Sequence, residues 1–209
     1  MNCLLCHNDS NAFELDTFMC PECGLVFKNP ETFNSHERDV ERYTTHNNDS
    51  NDQGYVEFLR KIIPPLKPFL PNKFTALDYG CGPGPTLCLL LEEEGGKVEN
   101  FDPIFFPDAH LLIPESYDVV TSTEVVEHFK NPRADWERLI DMAVDGGIIA
   151  IMTLLYHPEI DYKKWWYKND HTHIVFYQNK TIEFIAEEFN LQVLYNDNKS
   201  IIIFKKGEA

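Results

Sequence analysis

At 209 residues, with 43% hydrophobic and 13% aromatic content, the chain suits one main domain with a real core plus a small appendage. A formal net charge of −16 and a pI near 4.8 argue against nucleic acid and against anionic membrane surfaces, because phosphate binding needs clustered Lys and Arg. The longest apolar run, Ile148 to Tyr156, is too short to span a bilayer, and no basic stretch followed by an apolar core opens the chain, so a cytoplasmic protein acting on a small molecule or a protein is expected.

Residues 1–30 carry two cysteine pairs, Cys3-Leu-Leu-Cys6 and Cys20-Pro-Glu-Cys23. Each CxxC sets two sulfurs on one tight knuckle, and four thiolates close a tetrahedral zinc site, so a structural Zn2+ is expected on Cys3, Cys6, Cys20 and Cys23. Gly24 after the second knuckle eases its turn. A redox CxxC would need a thioredoxin-like βαβ context, which is lacking. A short hairpin through Phe13, Leu15 and Phe18 fits the gap between the pairs. So small a segment has little core of its own, and the metal would supply much of its stability.

Residues 31–70 read as a linker and an N-terminal covering helix. The run Asn47 to Gln53 is a loop, and apolar residues from Gly54 to Ile63 fall at helical spacing until Pro64-Pro65 stops them. His7, His36, His46, His110 and His157 read as surface residues.

Residues 71–209 form the main domain. Phe74 to Leu77 is an apolar strand, Leu87 to Leu91 an apolar helix start, and between them lies Asp78-Tyr79-Gly80-Cys81-Gly82-Pro83-Gly84. Alternating glycines let the backbone turn tightly and approach a ligand, with the next helix aiming its free N–H groups at the same place. A nucleotide-like ligand fits. Asp78 at the mouth would repel a pyrophosphate and suits a cationic amine with a sulfonium. A second strand, Lys97 to Phe101, ends in Asp102 about 20 residues on, where an acid bonds ribose hydroxyls. Because Pro103 follows, Asp102 also reads as the start of a turn.

These residues, with Tyr117 to His128 (a strand and a following Glu124-Val-Val-Glu127-His128), resemble class I S-adenosylmethionine-dependent methyltransferases over residues 74–205. The resemblance implies an α/β fold: a Rossmann-like, mostly parallel sheet with one antiparallel strand at the C-terminal hairpin. It implies that Gly80, Gly82 and Gly84 line the methionine and ribose part of S-adenosylmethionine. Asp78 would hold the methionine amine, Asp102 the ribose diol, and Thr123 and Glu124 would sit beside the cofactor. Tyr43 or Tyr55 would belong to its cover. Glu127 reads equally as helix-surface charge, and His128 as a helix cap. The chain departs from the family between Asp102 and Tyr117. Only Pro103 to Ser116 intervenes, too short for a full helix and strand, so any third strand is very short, at Leu111 to Ile113. Phe105 or Phe106 is then left to stack on the adenine.

The rest is regular. Pro132 to Ala143 is a helix, Asp145-Gly146-Gly147 a turn, and Ile148 to Thr153 a buried strand. Thr181 to Phe189 is a helix, and Leu191 to Tyr195 pairs with Ser200 to Phe204 as a closing hairpin. The long connection Trp165 to Tyr177 resembles a stretch that borders the acceptor pocket in a bacterial methyltransferase group. His173, then His171, are the candidate bases for an acceptor that must lose a proton. Each reads also as a histidine that pins the loop. Cys81 and Cys88 read as buried fold residues.

Three functions compete. The first is methyl transfer to a small acceptor, on oxygen or carbon, possible classes being sugars and quinone-like rings. The four-cysteine element resembles that of certain sugar C-methyltransferases, whose chains continue into a further C-terminal domain. The second is a degenerate cofactor-binding module whose zinc knuckle docks a protein. The third, RNA methylation, is opposed by charge, since residues 1–46 hold only Lys28, Arg38 and Arg42 as cations.

Overall fold

A computed structural model describes every residue except His46, Asn47, Asp49 and Ala209. The surface assignment of His46, and the Asn47 and Asp49 part of the expected loop, therefore lie outside the described residues.

Chain order runs through β1 (Asn11–Glu14), β2 (Thr17–Met19), β3 (Val26–Lys28), α1 (His36–Tyr43), α2 (Gln53–Arg60), α3 (Ile63–Leu66), β4 (Phe74–Tyr79), α4 (Thr86–Glu93) and β5 (Gly96–Phe101). It continues with β6 (Tyr117–Thr123), α5 (Pro132–Asp141), β7 (Ala143–Met152), β8 (Val175–Phe176), α6 (Asn179–Glu188), β9 (Leu191–Asn196) and β10 (Ile201–Lys206). The main sheet has the order β5-β4-β6-β7-β10-β9. β5, β4, β6 and β7 run parallel, while β10 lies antiparallel to both neighbours. The Rossmann-like α/β sheet with an antiparallel C-terminal strand is therefore present.

Side chains alternate between the two faces of this sheet, as strand geometry requires. Val120, Ile149, Ile151, Ile202 and Phe204 pack toward Trp136 of α5 and Ile182 and Ile185 of α6. Ala76, Val119, Ala150 and Ile203 pack toward Leu59 of α2 and Leu87, Leu90 and Leu91 of α4. Burying one large aliphatic side chain contributes about 1.5–3 kcal/mol, so these two layers hold the sheet from both sides.

Four local expectations change. Pro64-Pro65 does not end the helical path: after a break at Lys61 and Ile62 the prolines occupy the first turn of α3, where a missing N–H costs nothing. No strand forms at Leu111–Ile113; a single 3-10 turn, Ala109–Leu111, stands there, capped by Asp108 and held by the Tyr117 hydroxyl, which donates to the Leu111 carbonyl at 2.8 Å. β5 is consequently the edge of the sheet. Helix α5 stops at Asp141, two residues before the expected Ala143. The following strand does not wait for Ile148: β7 begins at Ala143 and runs through the glycines, with Gly146 at φ +73° and a register shift opposite Tyr117/Val119.

A second sheet, β1-β2-β3-β8, joins the two ends of the chain. The β1–β2 hairpin forms in the expected place, with Leu15 exposed at its tip. β3 pairs with β8, Val26 opposite Phe176 and Phe27 opposite Val175. Cys3, Leu5, Cys20, Cys23, Leu25 and Phe27 accordingly belong to the same buried cluster as Ile174, Val175 and Tyr177.

Candidate active site

A cavity of about 470 Å³ opens at the carboxyl ends of β4, β5 and β6, where ligands of open α/β sheets bind. Asp78, on β4, lies in its wall and is 2% exposed. The Thr121 hydroxyl donates to Asp78 Oδ1 at 2.9 Å. Burial pushes the Asp78 carboxyl up to about 7, the Thr121 bond opposes the rise, and the charge of Asp102 adds to it. A cationic group placed here would restore the charge.

The glycine loop follows. Gly80 has φ +84°, and a Cβ there would meet Val125 at 2.5 Å. Gly82 has φ +67°, and its N–H donates to Asp102 Oδ2 at 3.1 Å. Both line the cavity. Gly84 does not; it sits against the Asn48 carbonyl, which also accepts the Thr86 hydroxyl at 3.0 Å.

Asp102 starts the turn that its place before Pro103 predicts, and it stands in the cavity wall. Its Oδ1 accepts the N–H groups of Ile104 at 2.8 Å and Phe105 at 3.0 Å. That turn carries Pro103, Ile104 and Phe105 into the wall, while Phe106 is exposed and does not line it. Tyr43 and Tyr55 cover the cavity from α1 and α2.

The opposite wall comes from the end of β6. Thr123 and Glu124 line it, Glu124 at φ +55° with its N–H donating to the Met152 carbonyl at 2.7 Å. Burial, then the charge of Glu127, push the Glu124 carboxyl well above the ordinary range. Both carboxylates face one phenol: Tyr167 Oη lies 2.5 Å from Glu127 Oε1 and 3.3 Å from Glu124 Oε2. A single phenolic proton cannot serve both, so a carboxyl proton is favoured here.

Of the two candidate bases, only His173 reaches the cavity. Its Nδ1 lies 2.8 Å from the Tyr167 carbonyl, and burial drives its pKa down to about 4, against the pull of Glu127. The ring is neutral at physiological pH. His171 is exposed and turned away; Asn34 Nδ2 donates to its Nδ1 at 2.7 Å. It belongs instead to a latch between the N-terminal segment and the loop, where Arg42 meets Asp170 at 2.7 Å and Lys28 donates to the Asp170 carbonyl at 3.0 Å.

Sequence reasoning undervalued Glu127 and His128. Glu127 is fully buried, and His128 lines the cavity with its ring 4.9 Å from that of His173. The signal was present as a carboxylate and an imidazole directly after a strand that ends at the cavity. Arg138 and Lys130, also in the wall, had no signal of that kind.

The four N-terminal cysteines converge, all four sulfurs lying within 4.8 Å of one another. Cys3 and Cys23 stand 3.5 Å apart and Cys6 and Cys20 3.4 Å, well beyond a disulfide bond. Three of the four are buried, and the Leu5 N–H donates to Cys3 Sγ at 3.4 Å. This donor set suits a tetrahedral zinc ion. Cys81 and Cys88 are buried in the main domain, as expected, and Cys81 also lines the cavity.

A family profile described as a methyltransferase domain matches residues 49–196. No match is found among curated protein sequences. Among solved structures, the chain is similar to one from the complex between the Haloferax volcanii Trm112 methyltransferase activator and a candidate methyltransferase (TM-score 0.58, 13% identity, 81% of this chain and 97% of that one). It is similar to the PH0226 protein of Pyrococcus horikoshii OT3 (TM-score 0.55, 14% identity, 80% and 99%). It also resembles the magnesium protoporphyrin IX methyltransferase of Synechocystis PCC 6803 with bound SAH (TM-score 0.54, 15% identity, 85% and 98%). At such identities the likeness is one of fold.

Proposed function

Since the chain belongs to the methyltransferase-domain family, in its class I S-adenosylmethionine-dependent form, we propose that it methylates an oxygen or carbon of a small-molecule acceptor, sugar and quinone-like rings being the candidate classes. The observation that carries this reading is the convergence of the buried Asp78 and Asp102 with Gly80 and Gly82 on one cavity. The residues present fit the cofactor: side chains at Gly80 and Gly82 would fill the cradle, and Asp78 is a buried carboxylate in need of a cation.

Asp78 would hold the methionine amine, Asp102 the ribose diol, and Gly80 and Gly82 would let the backbone approach. Gly84 would act one step back, by seating Asn48 over the loop. Thr123 and Glu124 would line the cofactor's flank, and Phe105 replaces the missing third strand as the group closest to an adenine. When bound, S-adenosylmethionine supplies a methyl group on a positively charged sulfur, which keeps the C–S electron pair as the acceptor's lone pair forms the new bond. The protein's contribution is then alignment and exclusion of water by Tyr43, Tyr55 and the aromatic loop. His173 faces the acceptor as a neutral ring; alone, it is too weak a base to draw a proton from an ordinary hydroxyl. A small acceptor is supported by the cover that Tyr43, Tyr55 and His173 give the cavity, and RNA is opposed by the net charge of −16. Cys3, Cys6, Cys20 and Cys23 would hold a structural Zn2+.

The degenerate-module alternative is not favoured, because the cavity keeps both acids. The decisive experiment is calorimetric titration with S-adenosylmethionine and S-adenosylhomocysteine, with NAD as control. Binding of the first two and not the third is expected; no binding of either would end this reading.

A further inference from the structure

Three ligand-type side chains meet in the cavity wall away from the glycine loop. One donor atom each from Glu127, His128 and His173 lies within 4.8 Å of the other two. His128 and His173 line the cavity, and Glu127 stands directly behind them, fully buried. The Ile174 N–H donates to the Glu127 carbonyl at 2.9 Å, which ties the two segments together.

Both imidazoles are held in one orientation. Nδ1 of His128 lies 2.8 Å from the Thr172 carbonyl, and Nδ1 of His173 lies 2.8 Å from the Tyr167 carbonyl. A carbonyl only accepts, so each Nδ1 carries a proton and Nε2 is the nitrogen left to ligate. Histidines that ligate metals are commonly fixed in this way, by an N–H to a backbone carbonyl.

Glu127 supplies an independent sign. Its Oε1 accepts the Tyr167 hydroxyl, but its Oε2 is buried with no hydrogen-bond partner among the described residues. A structural anchor for Tyr167 explains the first oxygen and not the second. A buried carboxylate oxygen without a protein partner is costly, and beside two imidazole nitrogens the natural partner is a cation.

We propose that Glu127, His128 and His173 hold a divalent transition-metal cation, and that its open positions bind an oxygen of the methyl acceptor. The second half rests on the methyltransferase reading above. Two imidazoles and one carboxylate favour manganese, iron, cobalt, nickel or zinc over magnesium or calcium and leave coordination positions open. Three ligand atoms each about 2.0–2.2 Å from one ion stand roughly 3–4 Å from one another, so an ion draws the more widely spaced of these side chains together. The acceptor this selects carries a hydroxyl, preferably next to a second oxygen that can chelate. A cation-bound hydroxyl gives up its proton to water more readily and keeps both electrons of the O–H bond on oxygen. The site thereby does what the weakly basic His173 ring alone does not.

The test is a manganese(II) titration of protein carrying one zinc ion per chain, which the four thiolates take first, followed by electron paramagnetic resonance, since manganese competes poorly for those thiolates. Saturable uptake of one ion per chain is expected, weakened roughly tenfold or more in Glu127→Gln and His173→Gln. S-adenosylhomocysteine binding, measured on the same samples, reports the fold of each variant. If Glu127→Gln does not fold, His128→Gln replaces it. Absence of uptake, or unsaturable uptake equal in wild type and variants, overturns the proposal. If manganese binds as expected while S-adenosylhomocysteine does not, the metal site stands and the methyltransferase reading fails.

Discussion

Asp78 sets function against stability within one side chain. Its folded-state pKa of about 7 lies above the unfolded value of 3.8. The group therefore contributes stability that is fully present below pH 3.8 and is lost as pH rises through about 7. Asp78→Asn is expected to raise the melting temperature of the unliganded protein at pH 8 and leave it nearly unchanged at pH 3.5. The same variant should weaken S-adenosylmethionine roughly tenfold or more, because a charge-assisted bond of about 1.5–3 kcal/mol is gone. Equal melting temperatures at pH 8 would contradict the burial account. Asp102 behaves differently, since it also accepts the turn N–H groups of Ile104 and Phe105. Asp102→Ala should cost both affinity and about 1–2 kcal/mol of stability, whereas Asp102→Asn, which keeps an oxygen for the Ile104 and Phe105 N–H groups but turns a donor amide toward the Gly82 N–H, should lose affinity with a smaller loss of stability. Titration and thermal melts of the pair separate the two roles. The acids and glycines were legible in the sequence because they occupy one contiguous strand–loop–helix–strand, with an acid at the end of each strand. Glu127 was not, because two neighbours on a single 3-10 turn offer no period from which to tell the buried face.

At the scale of elements, the acceptor loop is held by the N-terminal segment. Strand β8 is only two residues long and pairs with β3, while Gln178 and Lys180 donate to the carbonyls of Gly24 and Pro21. The knuckle cysteines share a core with Ile174 and Tyr177. Cys20→Ser should therefore do more than release zinc. Hydrogen exchange is expected to rise through residues 165–177 as well as 1–30, with S-adenosylhomocysteine affinity changed far less than acceptor turnover. Exchange confined to residues 1–30, or full zinc retention, would refute the coupling or the four-thiolate site respectively. The CxxC pairs were readable from spacing. The β3–β8 pairing was not, because a two-residue strand carries no alternation and its partner lies at the other end of the chain.

Across the whole molecule, the parallel sheet and its two apolar layers were readable from strand composition, whereas the shortness of residues 103–116 pointed to a very short third strand where none forms. What occupies its place was not readable, since a capped 3-10 turn leaves little trace beyond Asp108. The net charge of −16 makes a plain expectation: no retention of RNA at low salt in a mobility-shift assay. Salt-sensitive retention would reopen RNA as the acceptor.

The N-terminal sheet also fixes an order of events during synthesis. β1, β2 and β3 leave the ribosome before β4 to β7, yet the strand that completes their sheet, Val175–Phe176, emerges only after β7 has been made. Contacts so far apart in sequence form slowly. Until then the outer edge of β3 and the apolar side chains of Leu25 and Phe27 lack their final cover, and a metal on the four cysteines is the local device able to hold the waiting hairpin in shape. Without that metal the hairpin would present an unpaired strand edge through the whole interval between the synthesis of β3 and that of β8.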